Sequence, residues 1–294
     1  MDAIAMNEEV KKYSRWKDYA LFTKVRLSSL VIFSALIGYL IGAEQVDWLS
    51  FALLAVGGTC ITAASNGMNQ ILERDLDKLM VRTMDRPLPQ ERMKVNEAWL
   101  LAGLLILGGT LCLWLGTNLL TTVLSLSALV AYTFVYTPLK RKTPLAVFVG
   151  AFPGAVPPLL GWTAATGNIG QEAVLLFFLQ FMWQFPHFWA IAWRLDEDYR
   201  RAGFYLLPFP TGRNRANAFQ ILLYNMSLIP ISLIPYWTGM LGGIPTVILV
   251  LAAVGFALPA IKLYWSCKDE DARLLMFASF FYLPNIQLTL LFGL

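Results

Sequence analysis

An acidic ladder in the first third of the chain has residue types and spacing suited to binding a metal ion. Asn69, Glu73 and Asp77 stand four residues apart in the segment NQILERDLD. On an α-helix this spacing keeps the three side chains within about 80° of one face and spreads them over about 12 Å. Amide and carboxylate oxygens are ligands that Mg²⁺ accepts, and the ion fills its other positions with water and substrate phosphate. The ladder therefore predicts a magnesium site.

Basic side chains follow the ladder at short intervals. They are Arg74, Lys78, Arg82 and Arg86. Guanidinium and ammonium groups bind the oxygens of phosphate groups. A metal ion beside several cations predicts a site for a phosphorylated substrate, in which Arg74 and Lys78 serve mainly to balance the neighbouring acids.

The composition places this charged segment in a membrane protein. Of 294 residues, 57% are hydrophobic and only 14% are charged, and the mean hydropathy is +0.57. This leaves too little polar surface to cover a soluble globule, so we expect the chain to live in a lipid bilayer and to have no nucleic-acid partner. The cysteines Cys60, Cys112 and Cys267 lie too far apart to suggest a metal motif.

Apolar stretches divide the chain into an N-terminal segment and one bundle. Residues 1–26 are predicted to form a cytoplasmic or interfacial segment, and residues 27–294 an all-α domain of nine transmembrane helices around a central cavity. The predicted spans are residues 27–43, 48–72, 98–115, 119–136, 146–164, 173–193, 216–237, 241–265 and 274–291. Pro153, Pro157 and Pro158 predict a broken or kinked fifth span, and such a helix tends to line a cavity.

The distribution of charge predicts the orientation of these spans. All 23 Lys and Arg residues fall in the segments 1–26, 73–97, 137–145, 194–215 and 262–273. The intervening turns carry only Glu44, Asp47 and Glu172 as charged residues. The positive-inside rule then places the N-terminus in the cytoplasm and the C-terminus outside. The long charged loops share the cytoplasmic face, where we expect the active site; the absence of a transit peptide favours a bacterial inner membrane.

Three segments carry a resemblance to a known family. The stretch NQILERDLDKLMVRTMDRPLP at 69–89 resembles the first signature of the UbiA-type intramembrane prenyltransferases, with Glu73 where Asp is commoner. YTPLKRKTP, which begins at Tyr136, is similar to a loop whose bases are thought to grip a diphosphate. FMWQFPHFWAIAWRLDEDYRRAGFYLLP at 181–208 resembles the second acidic signature, in the form typical of the branch that acts on haem, and His187 lies in its discriminating part.

The resemblance implies a reaction, its substrates and roles for individual residues. The farnesyl group of farnesyl diphosphate would be transferred to a vinyl group of haem b, with Mg²⁺ assisting ionisation and water adding afterwards. Partners implied in the same way are a haem A synthase or terminal-oxidase assembly factors. The expected metal ligands are Asn69, Glu73, Asp77, Asp196 and Asp198. The expected diphosphate-binding residues are Lys24, Arg26, Arg82, Arg86, Lys140 and Arg141, with Lys140 and Tyr136 acting in catalysis beside the ladder.

His187 and the aromatic side chains near it raise separate hypotheses. The only histidine of the chain is a candidate haem-binding residue, because haem iron takes imidazole as an axial ligand. A buried packing residue is the alternative. Aromatic side chains in the same segment could stabilise an allylic cation through their π faces, although packing is the commoner role. They are Phe181, Trp183, Phe185 and Trp189.

Simpler structural roles and two other functions remain open at this point. The ladder could be a solvated helix end whose acids pair with its own bases. One acid of the second signature could serve merely as an ion-pair partner of Arg200 or Arg201. Tyr136 could be an interfacial anchor. A sister enzyme that prenylates an aromatic quinone precursor is the nearest alternative function. A secondary transporter with an intramembrane acidic site is the third, but it has no need for three motif-bearing loops on one face.

Overall fold

Every regular element in the part of the chain that the structure describes is a helix. The computed structural model describes residues 13–294, except the side chains of Arg26 and Leu27, so the first twelve residues of the predicted interfacial segment lie outside it. The helices are α1 Arg15–Thr23, α2 Val25–Gly42, α3 Trp48–Asp77, α4 Val95–Gly116, α5 Leu119–Val130, α6 Thr137–Leu139, α7 Ala146–Thr166, α8 Gln171–Arg194, α9 Asp196–Arg201, α10 Arg215–Ile231, α11 Ile234–Trp237, α12 Gly243–Ser266 and α13 Asp269–Gly293.

The predicted all-α membrane bundle is confirmed in its class. Eight helical segments of the described chain are long and apolar enough to cross a bilayer, and a ninth results if the bent pair α1 and α2 forms one span. The two helices meet at 51°, at Lys24, whose backbone is left-handed with φ 49°. This conformation is unusual for a residue with a Cβ atom, and it turns the chain sharply as it enters the first span.

The third helix extends further than its apolar pattern predicts. α3 continues to Asp77, so the ladder is helical as expected, although the predicted span stops at residue 72. Glu, Arg, Leu and Lys are good helix formers, and apolar periodicity alone misses such a charged extension. α3 therefore carries the acidic side chains out of the apolar layer on a rigid element.

Of the two outcomes predicted for the proline-rich helix, a break or a kink, the break is absent. α7 runs from Ala146 to Thr166 with all three prolines inside it. Gln180 of α8 donates from Nε2 to the carbonyl oxygen of Gly154 at 2.8 Å, the acceptor that Pro158 leaves without its helical N–H partner. A side chain of the neighbouring helix thus replaces a missing backbone hydrogen bond within the membrane.

Close helix contacts at glycines bring the bundle together around the cavity. A Cβ atom at Gly161 of α7 would lie 1.8 Å from the carbonyl oxygen of Ala35, and one at Gly38 would lie 2.1 Å from that of Pro158. α2 and α7 therefore pack backbone to backbone. Small residues commonly allow this approach in membranes, where the packing itself drives helix association.

A π-helical segment joins α5 to α6. It spans Ala131–Tyr136, and its wider turn gives Tyr132 and Tyr136 a tilted ring contact with centroids 5.2 Å apart. Thr137 donates from Oγ1 to the Tyr132 carbonyl oxygen at 2.9 Å, which satisfies an acceptor within the distorted turn. π-helical turns are often found at functional sites, and this one borders the cavity described below.

Candidate active site

One cavity of about 470 Å³ extends between the helices from the acidic ladder into the apolar layer. Its walls come from α2, α3, the π-helical segment, α7, α8 and α13. The end beside the ladder is strongly charged, whereas leucine, isoleucine, valine and phenylalanine side chains line much of the rest, together with a few polar side chains. This division suits a ligand with an anionic head and a long apolar tail.

The three ladder residues line the charged end together, as their spacing predicts. Asn69, Glu73 and Asp77 are 3%, 5% and 0% exposed, and all three border the cavity. The Asn69 amide donates from Nδ2 to Thr137 Oγ1 at 3.0 Å, and the threonine hydroxyl donates its own proton to the Tyr132 carbonyl. This chain of hydrogen bonds leaves the Asn69 amide oxygen as the atom available to a ligand.

Each acid of the ladder forms a buried ion pair. Lys140 Nζ contacts Glu73 Oε1, and Arg86 Nη1 lies 2.6 Å from Asp77 Oδ2. Burial lowers the pKa of Lys140, while the Glu73 carboxylate opposes that shift. Asp77 Oδ1 is buried and has no hydrogen-bond partner among the described residues. An orphaned carboxylate oxygen in such a place is costly unless a ligand or an ion completes its shell.

The predicted diphosphate-binding bases divide into two groups. Lys24, Arg82, Arg86 and Lys140 border the cavity. Arg141 is exposed and is not among the residues that line the cavity. The Arg26 side chain lies outside the described residues.

Two predicted metal ligands lie away from the cavity wall. Asp196 Oδ2 accepts from Arg200 Nε at 2.9 Å, the pairing considered above as the structural alternative. The Asp198 carboxylate accepts from the backbone N–H groups of Val81 at 2.7 Å and Arg82 at 3.2 Å. Across residues 13–294, no three His, Cys, Asp or Glu side chains converge on a common metal position. The predicted set of five ligands is not assembled, and a ligand role for the two aspartates stays a prediction.

Three tyrosines line the charged end, of which the sequence analysis identified one. Tyr136 borders the cavity as predicted, and Lys140 Nζ lies 5.1 Å from its ring centroid. Tyr132 and Tyr199 border it too. The first stands four residues before Tyr136 and thus on the same helical face, a signal that was present in the sequence. Burial raises the pKa of the Tyr199 hydroxyl, which therefore stays protonated as a hydrogen-bond donor.

His187 borders the same cavity from α8 and is held by contacts on two sides. Its Nδ1 atom lies 2.6 Å from Ser279 Oγ of α13, and its ring stacks on Trp183 with centroids 4.6 Å apart at 16°. Trp183 Nε1 donates to the Ser279 carbonyl oxygen at 3.0 Å. The sequence carries no signal for Ser279, because nothing in α13 resembles a known motif.

Most of the aromatic stripe faces away from the cavity. Trp183 is the only one of the four predicted cation stabilisers among the described residues that line it. Phe181 packs on Phe148 with centroids 5.6 Å apart, and Phe185 packs on Tyr224 at 4.9 Å. These two, with Trp189, belong to the apolar core that joins α8 to α10, α12 and α13. Packing is therefore their observed role.

The donor atoms at the charged end fit a magnesium ion. The Asn69 amide oxygen and the Glu73 and Asp77 carboxylates are hard oxygen ligands, and Asp77 Oδ1 has no hydrogen-bond partner within the described part of the chain. Three protein donors leave room for the phosphate oxygens and waters that complete an octahedral shell. The cations around them can bind the remaining diphosphate oxygens.

Comparison with known proteins gives consistent matches over nearly the whole chain. The profile of the UbiA prenyltransferase family matches residues 31–283. The protoheme IX farnesyltransferase of Cytophaga hutchinsonii is 46% identical over 276 residues, which cover 94% of this chain and 96% of the relative. The enzyme of the same name from Christiangramia forsetii is also 46% identical, with 92% and 91% coverage.

Solved structures share the fold at low sequence identity. A digeranylgeranylglyceryl phosphate synthase matches with a TM-score of 0.78 and 19% identity, over 95% of this chain and 98% of the other. A UbiA homologue from Archaeoglobus fulgidus bound to GPP and Mg²⁺ matches with a TM-score of 0.64 and 14% identity, over 93% and 99% of the two chains.

Proposed function

Because this chain belongs to the UbiA prenyltransferase family, we propose that it transfers the farnesyl group of farnesyl diphosphate to a vinyl group of haem b. The observation that carries the proposal is the 46% identity, over nearly the full length of both chains, to enzymes named for this reaction. The protein is a multi-pass membrane enzyme. A bacterial inner membrane, with the charged loops in the cytoplasm, remains part of the proposal.

The charged end of the cavity is the proposed diphosphate site. Asn69, Glu73 and Asp77 would hold Mg²⁺, which when bound neutralises the leaving diphosphate and favours its departure. Lys140 and Arg86 are already within contact of Glu73 and Asp77, so they are placed to bind diphosphate oxygens once the acids turn to the metal. The hydroxyl groups of the half-buried Tyr136 and Tyr199 can donate to the same oxygens.

The apolar part of the cavity is the proposed site of the farnesyl chain and the acceptor. Its walls exclude bulk water from an allylic cation, which would otherwise be captured as an alcohol before transfer. Removal of the diphosphate leaves an electron-poor carbon that the π electrons of the haem vinyl group attack. The site therefore needs proximity and charge stabilisation rather than a protein nucleophile.

The two other functions have weaker support. An enzyme for an aromatic quinone precursor would share the diphosphate end, but the two relatives compared above carry the name of the haem enzyme. A transporter would explain the spans and the cavity but not the match to a prenyltransferase family. The quinone activity is therefore the second candidate, and assembly partners such as a haem A synthase remain a proposal.

An acceptor competition tests the function directly. Purified protein receives labelled farnesyl diphosphate and Mg²⁺ with equimolar haem b and 4-hydroxybenzoate, and products are separated by mass spectrometry. We expect label in haem, and none in the benzoate. Label only in the benzoate would contradict the proposal, and absence of transfer to either would favour a non-enzymatic role.

A further inference from the structure

The contacts of the only histidine determine which of its nitrogens carries the proton. Ser279 Oγ donates to the Met276 carbonyl oxygen at 2.5 Å and lies 2.6 Å from His187 Nδ1. A hydroxyl has one proton, and this one is already given to the carbonyl, so the hydroxyl accepts from Nδ1–H. The neutral imidazole then keeps its lone pair on Nε2.

The same contacts fix the direction of the ring. Trp183 stacks on one face, and Phe280 approaches edge-on with centroids 5.2 Å apart. His187 is 8% exposed and borders the cavity, and Nδ1 is the ring nitrogen that forms a hydrogen bond within residues 13–294. An imidazole oriented by a hydroxyl on one nitrogen, with the other nitrogen free, has the arrangement of a general base.

The chemistry proposed above needs such a base. The farnesyl C1–O bond breaks with its electron pair on the diphosphate, and the terminal vinyl carbon forms the new C–C bond with C1. The inner vinyl carbon is then electron-deficient. A water oxygen can donate a lone pair to this carbon and form the new C–O bond. The oxygen atom then carries one proton too many. That proton must first pass to a base beside the vinyl group, and from that base it can reach the departed diphosphate at the aqueous end.

We propose that His187 Nε2 accepts this proton from the adding water, so that the residue is a proton acceptor rather than an iron ligand. The inference rests on the proposed function. The other bases near the cavity are less suitable, because Glu73 and Asp77 are paired with Lys140 and Arg86 and belong to the diphosphate end. Gln184, one helical turn from His187 on α8, also borders the cavity, but its Nε2 atom already donates to the carbonyl oxygens of Ala151 and Gln180.

Two substitutions separate a proton acceptor from a packing residue. His187→Phe keeps an aromatic ring against Trp183 but has no nitrogen, and we expect it to slow formation of prenylated haem by about 100-fold or more. Ser279→Ala removes the hydroxyl that sets the tautomer, and we expect a smaller loss of about 10-fold. Asn225→Leu is the matched control, because Asn225 is fully buried and its side-chain polar atoms have no partner among the described residues.

The absorption spectrum of bound haem tests whether His187 is an iron ligand. We expect the Soret maximum and the haem affinity to be the same in wild type, His187→Phe and Asn225→Leu, with turnover lost only in His187→Phe. A shifted Soret maximum in His187→Phe would identify an iron ligand and overturn the inference. Turnover of that variant within about three-fold of wild type would overturn it in favour of packing. If wild-type protein prenylates no haem at all, that result contradicts the proposed function itself, whatever the role of His187.

Discussion

At the scale of residues, the charged end of the cavity holds acids and bases that neutralise each other until a ligand arrives. Glu73 and Asp77 are buried and paired with Lys140 and Arg86. Buried pairs gain little stability over apolar residues, since desolvation offsets their attraction. We therefore attribute them to function. Binding of a metal diphosphate would let the acids turn to the metal and the bases to the phosphate oxygens, without leaving any charge unpaired.

Asp198 is expected to act through the loop that it holds rather than through a metal. Its carboxylate accepts two backbone N–H groups, at Val81 and Arg82, and Arg82 borders the cavity. Asp198→Ala removes these charge-assisted hydrogen bonds. We expect it to raise the KM for farnesyl diphosphate about 10-fold, with the Mg²⁺ concentration for half-maximal activity unchanged.

Glu197→Ala provides the control for this experiment. Glu197 is the exposed neighbour that pairs with Arg213, and its loss should leave both constants unchanged. A large rise in the Mg²⁺ requirement of Asp198→Ala, absent from Glu197→Ala, would instead support the metal-ligand role predicted from the sequence.

Residue-level prediction from the sequence succeeded where spacing along one helix carries the signal. Asn69, Glu73 and Asp77 share a face because a helix repeats every 3.6 residues, and the cavity lies on that face. The partners of these residues could not be predicted in the same way. Which carboxylate Lys140 contacts, or that Ser279 meets His187, depends on packing between helices far apart in the chain.

At the scale of elements, α7 shows how the bundle accommodates helix-breaking residues. Pro158 leaves the Gly154 carbonyl without its helical N–H, and Gln180 Nε2 takes that place. The sequence predicted the disturbance but not its remedy, because the remedy comes from α8. Local propensity therefore favoured a break, and tertiary contacts kept the helix continuous.

A double-mutant cycle tests this account of α7. Gln180→Leu alone should lower the free energy of unfolding by about 1–3 kcal/mol, because a buried carbonyl loses its donor. In a Pro158→Ala background the helix can supply its own N–H, so the same substitution should cost about 1 kcal/mol less. Unfolding in mixed detergent micelles measures both values.

Gln287→Leu is the control for this cycle. Gln287 bonds to Gln180 Oε1 but not to α7, so its cost should be the same in both backgrounds. Additive effects of Gln180→Leu and Pro158→Ala would show that the Gln180 amide does not compensate for the missing backbone donor.

Span boundaries show what apolar periodicity can and cannot predict. Eight of the nine predicted spans coincide with long apolar helical segments, because lipid requires about 20 apolar residues for each crossing, and the first depends on the bent pair α1 and α2. The bend at Lys24 and the π-helical turn at Ala131–Tyr136 left no trace in the apolar pattern. Both depend on how the chain closes around the cavity.

At the scale of the whole molecule, the orientation in the membrane remains a prediction from charge. In a cysteine-free background, we expect a single cysteine at Lys142 to react with a membrane-impermeant maleimide only after the cells are opened. A cysteine at Asn168 should react in intact cells, because the positive-inside rule places that turn outside. Both residues are exposed, and they precede and follow the same helix, α7.

The predicted sidedness of these two cysteines depends on the first span. The orientation assumes that the chain segment before Trp48 crosses the bilayer once, through the bent pair α1 and α2. Reversed labelling, at Lys142 in intact cells and at Asn168 only after opening, would contradict the predicted orientation and place the charged loops outside.

The cavity itself is the property that sequence analysis could least predict. Its charged end and its aromatic residues come from helices on both halves of the chain, and only their packing defines its volume and its apolar walls. The charge distribution predicted that the three signatures lie on the same side of the membrane, and this indicated that they meet. It did not indicate that Asp196 and Asp198 would lie away from the wall.

The central claim is that the Asn69, Glu73 and Asp77 ladder activates a prenyl diphosphate through magnesium. Asp77→Ala tests it most directly, by measuring diphosphate release and haem prenylation across a Mg²⁺ titration. We predict a loss of about 100-fold or more in turnover, because a metal-binding carboxylate at the leaving group is removed. Turnover that survives in Asp77→Ala with unaltered Mg²⁺ dependence would contradict the claim.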